Sequence, residues 1–88
     1  MKITFSNQAF QDFLAWQAED LEIFARLVRI IQETLRNPFE GIGKPEPLKG
    51  NLKGYWSKRI TQEHRFVYKV EGKEDTQTLF IISCKGHY

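Results

Sequence analysis

The sequence predicts an α+β fold in which two N-terminal helices pack on one face of a mainly antiparallel sheet, with elements in the order β-α-α-β-β-β. Three observations lead there: helical apolar spacing up to Arg36, a proline- and glycine-rich stretch that interrupts it, and three aromatic and β-branched runs beyond. Residues 2–5 alternate weakly and read as a short strand. Ser6 can cap a helix in which Phe10, Phe13, Leu14 and Gln17 lie at i, i+3, i+4 and i+7. Asp20 can cap a second, with Leu21, Phe24, Leu27, Val28, Ile31 and Leu35 opposed by Glu22, Arg26, Arg29 and Glu33. Asn37-Pro38 ends it, because the residue before a proline is pushed out of helical space. Residues 54–60, 64–70 and 78–84 then read as strands joined by two hairpins.

Length and composition bound the rest. Area scaling for 10.4 kDa gives roughly 5,400 Å² exposed when folded against roughly 15,100 Å² unfolded, enough for one modest core in one domain spanning the 88 residues. With 41% hydrophobic and 27% charged residues the chain fits neither the disordered nor the membrane-embedded class, and no membrane partner is expected. Its longest apolar run, Leu79-Phe80-Ile81-Ile82, is far too short to cross a bilayer. No apolar stretch of secretory length opens the sequence, and a single cysteine, Cys84, can form no internal disulfide, so a reducing cytoplasm is the expected location. The net charge of +2 conceals an asymmetry: residues 1–43 carry four Lys/Arg and six Asp/Glu, residues 44–88 nine and five. The basic half is suited to a polyanion, or is simply a solvated sheet surface.

Residues 38–53 hold three prolines and three glycines. A connection this long without secondary structure is usually either mobile or functional. The hairpin after it is informative through its register. If Thr61, Gln62 and Glu63 form the loop, Ile60 pairs with His64 and Arg59 lies opposite Arg65. Trp56, Ile60, Phe66, Tyr68 and Val70 then face the helices, while Tyr55, Ser57, Arg59, Arg65 and Lys69 make an uncovered basic face. Opposed arginines repel unless solvent, carboxylate or phosphate compensates. Either they face water or pair with Glu63 and Glu46, or they clamp a phosphate.

Metal-free cleavage of RNA needs a base for the 2′-hydroxyl, an acid for the leaving 5′-oxygen, and cations around the phosphate. Glu46, braced between Pro45 and Pro47, can serve as the base, and His87 as the acid. Arg65 with Arg59 and Lys49 can form the clamp, and Tyr88 can position a base or phosphate. Taken singly, Glu46 is an exposed loop carboxylate and His87 a residue of a fraying end. No ligand spacing for a metal occurs, so no metal or other cofactor is expected. A nucleophile elbow, a P-loop and a dinucleotide fingerprint are likewise missing.

Three motifs occur together and in order: Gly43-Lys44-Pro45-Glu46-Pro47-Leu48-Lys49, then Trp56-Ser57-Lys58-Arg59-Ile60-Thr61-Gln62-Glu63-His64-Arg65, then His87-Tyr88. With the aromatic Phe10, Phe13 and Trp16 before them, they closely resemble the YoeB-type toxins of the RelE/ParE superfamily, and the resemblance covers nearly the whole chain. It implies a RelE-like, microbial-ribonuclease-like fold and a ribosome-dependent messenger-RNA endoribonuclease that cuts in the ribosomal A site, held silent by a YefM-like antitoxin. By position it makes Glu46 the general base, His87 the general acid and Arg65 the transition-state stabiliser, with Tyr88, Lys49, Arg59 and Glu63 supporting. A homodimer is implied by the same resemblance. Departures are modest: Lys58 stands where the family often has arginine, Gly50 where histidine is common, and Gly86 precedes the His-Tyr pair. Lys58 falls on the helix-packed face in the register above, which makes it a test of that register. The competing reading within the superfamily is a non-enzymatic, ParE-like inhibitor of DNA gyrase, which needs no acid and base.

Overall fold

Ser6 turns the chain from strand into helix. Its hydroxyl accepts the Ala9 N–H at 3.0 Å and donates to the Ile82 carbonyl at 2.8 Å, so one residue caps α1 (Asn7–Glu19) and fastens it to the sheet. Asp20 alone separates α1 from α2 (Leu21–Arg36). Its N–H closes α1 on the Trp16 carbonyl at 2.9 Å, and its Oδ1 accepts from Glu22 and Ile23 N–H, both at 3.1 Å, to open α2. The Asn37 N–H donates to the Glu33 carbonyl, and Pro38 stops the helix as expected. This is a computed structural model that describes residues 1–86; His87 and Tyr88 lie outside the described residues.

The sheet has five strands in the order β1-β5-β4-β3-β2: β1 (Lys2–Phe5), β2 (Glu46–Pro47), β3 (Trp56–Arg59), β4 (Arg65–Glu71) and β5 (Thr78–Ser83). All neighbours are antiparallel except β1 and β5. The expected hairpin register holds. Arg59 lies opposite Arg65, and the Ile60 N–H donates to the His64 carbonyl at 2.9 Å. Both helices cover one face, where Ala9, Trp16, Leu27, Ile30 and Ile31 meet Ile60, Phe66, Tyr68, Leu79 and Ile81, with Trp56 and Val70 at the margin.

In α2 the expected stripe holds except at its first residue, with Leu27 and Ile31 buried and Phe24 and Leu35 packed against the core, whereas α1 keeps only Phe13 of its expected stripe against the core. In α1 the buried residues are Ala9, Asp12 and Trp16, whereas Phe10 and Leu14 are 48% and 41% exposed. Apolar periodicity sets the spacing of a stripe and leaves its phase open, and here polar contacts choose the phase. The Asp12 carboxylate accepts the Cys84 N–H at 2.9 Å, the Trp16 indole donates to the Cys84 carbonyl at 2.8 Å, and Ala9 is small enough for close approach. In α2, Leu27, Ile30, Ile31 and Thr34 are buried and Leu21 is 69% exposed. The Thr34 hydroxyl donates to the Ile30 carbonyl, which makes its burial tolerable.

Candidate active site

Residues 37–44 form a loop pinned from below. Lys58 is fully buried on the helix-packed face, as the register requires, and its ammonium donates to the carbonyls of Glu40 (2.9 Å) and Asn37 (3.3 Å). Burial lowers its pKa, with Glu33 pulling the other way. The Tyr68 hydroxyl donates to the Pro38 carbonyl, Glu33 Oε1 accepts the Ile42 N–H at 2.6 Å, and the Arg59 N–H donates to the Gly43 carbonyl at 2.6 Å. Gly41 and Gly43 have φ of +96° and +87°, and a Cβ on Gly43 would meet Lys58 Cβ at 2.9 Å and the Arg59 carbonyl at 3.0 Å. The backbone approach demands glycine there.

This pinned loop delivers Glu46 to the sheet edge. Glu46 pairs with Ser57 and Pro47 with Trp56, and the Leu48 N–H donates to the Tyr55 carbonyl. Proline suits this position because an edge strand needs no outward N–H. Beside β2 lies a hollow of ≈ 470 Å³ lined by Glu46, Leu48, Lys49, Asn51, Leu52, Ser57 and Arg65. Three of the sequence-predicted residues, Glu46, Lys49 and Arg65, therefore share one concavity. Arg65 is half-buried, and its Nη1 donates to the Thr61 and Gln62 carbonyls, both at 3.2 Å, which aims the guanidinium. Among the described residues no carboxylate lies within ion-pair distance of Arg59 or Arg65; the two ion pairs there are Lys69–Glu71 and Lys85–Glu19. Lys69 is thus offset by Glu71, which also raises its pKa, while the opposed arginines have no such carboxylate among the described residues.

Arg59 and Glu63 are placed differently. Arg59 lines an adjoining hollow with Arg26 and Lys44, and Glu63 is exposed in the hairpin turn, where its N–H donates to the Thr61 hydroxyl. His87 and Tyr88 lie outside the described residues, but the backbone just before them is firmly held. The Arg65 N–H donates to the Gly86 carbonyl and the Gly86 N–H donates to His64 Nδ1, each at 2.8 Å. His64 is itself wedged edge-on against Trp16, with ring centroids 4.7 Å apart. Sequence reasoning missed His64 as an anchor, together with Asn51 and Ser57 as lining residues. The signal for His64 was its pairing with Ile60, which turns its side chain toward the helices.

The arrangement offers a carboxylate and two cations around one open hollow on the sheet face turned away from the helices. Toxin YoeB of Escherichia coli O6:H1 (strain CFT073) is 49% identical over 88 residues, covering 100% of both chains. Among solved structures, the YoeB/ParE toxin from Agrobacterium tumefaciens superposes with a TM-score of 0.95 at 45% identity, covering 100% of each chain. The Staphylococcus aureus protein, solved as a YoeB dimer and as a heterotetrameric YoeB–YefM complex, gives TM-scores of 0.87 and 0.86, both at 45% identity, covering 100% of this chain and 98% of that one. The family described as the YoeB-like toxin of bacterial type II toxin-antitoxin systems matches residues 5–88, and with the fold shared end to end, this chain belongs to it.

Proposed function

We propose that the protein is a ribosome-dependent endoribonuclease that cuts messenger RNA in the A site and so arrests translation. The observation that carries this reading is the convergence of Glu46, Lys49 and Arg65 on one hollow, with Gly86 hydrogen-bonded to the Arg65 backbone. Glu46 takes the proton of the 2′-hydroxyl, and the 2′-oxygen attacks phosphorus. Arg65 and Lys49 offset the charge that gathers on the non-bridging oxygens. The bond to the 5′-oxygen breaks, and His87 gives that oxygen its proton while Tyr88 helps seat the nucleotide. The products are a 2′,3′-cyclic phosphate and a 5′-hydroxyl, and every proton moves between groups of this chain and the RNA, so the scheme calls on no metal. Glu63 supports from the hairpin turn.

The partner in this reading is a YefM-like antitoxin, supported by the complex of the Staphylococcus aureus relative, and the dimer of that relative supports self-association. An acidic, extended segment would find charge on the uncovered face.

Programmed ribosomes with a defined message test the chemistry. Glu46→Gln should lose about 10²- to 10⁴-fold in cleavage rate at unchanged thermal stability, since Glu46 is exposed. Wild-type rates in Glu46→Gln, or product ends carrying a 5′-phosphate, would refute the scheme. Inhibition of DNA supercoiling without mRNA cleavage would favour the gyrase alternative.

A further inference from the structure

The hollow that takes Arg59 away from the candidate active site is ≈ 430 Å³ and is lined by Arg26, Gly43, Lys44, Arg59, Thr61 and Gln62 together with Ile60. Three cations from three elements meet in it. No carboxylate lies within ion-pair distance of any of them among the described residues. Their placement is built into the backbone. Arg26 Nε donates to the Ile60 carbonyl at 2.6 Å and one terminal nitrogen reaches the Arg59 carbonyl at 3.5 Å, which orients the rest of the guanidinium. The 2.6 Å bond from the Arg59 N–H to the Gly43 carbonyl joins two walls of the hollow. Lys44 has φ of +50°, a positive value no other non-glycine shows among the described residues, and this fixes where its side chain leaves the loop.

We propose that this hollow binds a backbone phosphate of the substrate RNA, flanking the phosphate that is cut. Arg59 and Arg65 are direct cross-strand partners, and such Cα atoms stand about 4.5–5.5 Å apart with side chains on the same face. Arg65, which lines the first hollow, also donates to the carbonyls of Thr61 and Gln62, which line the second, so one strand can contact both. Two guanidiniums and an ammonium, none paired to a carboxylate among the described residues, suit a phosphodiester, which accepts bidentate contacts. An acidic peptide would satisfy the same charges, but the continuity with Glu46, Lys49 and Arg65 favours RNA. The proposal rests on the RNA-cleaving reading for its substrate class.

A short 2′-O-methylated single-stranded RNA, which cannot undergo 2′-hydroxyl attack, separates binding from chemistry. Its affinity is followed by fluorescence anisotropy across a salt series for the wild type, Lys44→Gln, Arg26→Gln and, as control, Arg29→Gln. Each of the first two should bind more weakly and lower the salt slope by about 0.7, the loss of one phosphate contact to a single strand. Arg29→Gln, outside this hollow, should match the wild type. Lys44 is exposed and makes no side-chain hydrogen bond among the described residues, so its variant should melt like the wild type. Unaltered slopes in both variants would overturn the proposal, as would intact RNA binding combined with lost binding of an acidic peptide. A wild type that binds the RNA through these residues yet never cleaves a ribosome-bound message would instead refute the catalytic reading and leave the subsite standing.

Discussion

Two buried titratable side chains pull the pH dependence of stability in opposite directions. Lys58 holds its proton less tightly in the fold than in the open chain, so its contribution improves as pH rises toward 10.5. Cys84 does the reverse: burial, and then the Asp12 carboxylate, push its thiol from 9.0 up to about 12. The open chain releases that proton first, so the stability due to Cys84 is fully present below 9.0 and is lost as pH rises toward about 12. Tyr68, raised by burial, adds to the loss. One group changes stability by at most about 1.4 kcal/mol per pH unit. Cys84→Ala should therefore lose less stability than the wild type between about pH 8 and pH 10.5, read as the shift in urea midpoint. The same thiol should resist alkylation at about pH 8 until denaturant is added. Lys58→Ala should cost about 3 kcal/mol, since it opens a cavity and removes the ammonium that the Glu40 and Asn37 carbonyls share.

The loop before β2 behaves as scaffold. Gly43→Ala should be worse than Gly41→Ala, because its Cβ meets the Arg59 backbone, whereas a Cβ on Gly41 displaces a side-chain end, the Glu33 carboxylate, at the cost of its bond to the Ile42 N–H. Thermal melts should rank them so, and in the proposed reaction Gly43→Ala should also slow cleavage by displacing Glu46. His64→Leu removes the acceptor for the Gly86 N–H. In the proposed reaction it should lower kcat more than KM, whereas Asn, which retains an acceptor, should recover part of the rate. Much at this scale was readable in sequence: the Ser6 and Asp20 caps, the stop at Asn37-Pro38, and a hairpin whose turn length dictates its register. Local chemistry decides each of these. The phase of α1 was not readable, because Phe10 and Leu14 fit a core stripe as well as Ala9 and Trp16 until Cys84 supplies the contact. The grouping of Glu46, Lys49 and Arg65 followed from the hairpin and the paired prolines. The diversion of Arg59 did not, since it depends on where α2 carries Arg26.

Across the whole molecule, residues far apart in sequence close the structure. Asp12 and Trp16 clasp Cys84, and Ser6 holds Ile81 and Ile82. The folded surface is 5772 Å², near the roughly 5,400 Å² expected from mass. Asp12→Ala leaves the Cys84 N–H buried without an acceptor and should cost about 1–3 kcal/mol. Because the clasp joins α1 to the strand that leads to Gly86, tryptophan fluorescence and far-ultraviolet dichroism should report coincident unfolding transitions.

Asp20 sets a dimension that the rest of the chain inherits. With one residue serving as both the end of α1 and the start of α2, the two helices are geared together without slack. Inserting a single amino acid there would rotate α2 by about 100°, swinging Thr34 out, Arg26 away from the hairpin and Glu33 off Ile42. Variation in length at that joint should be lethal to the fold, whereas the turn at residues 72–77, which carries none of these contacts, should accept it.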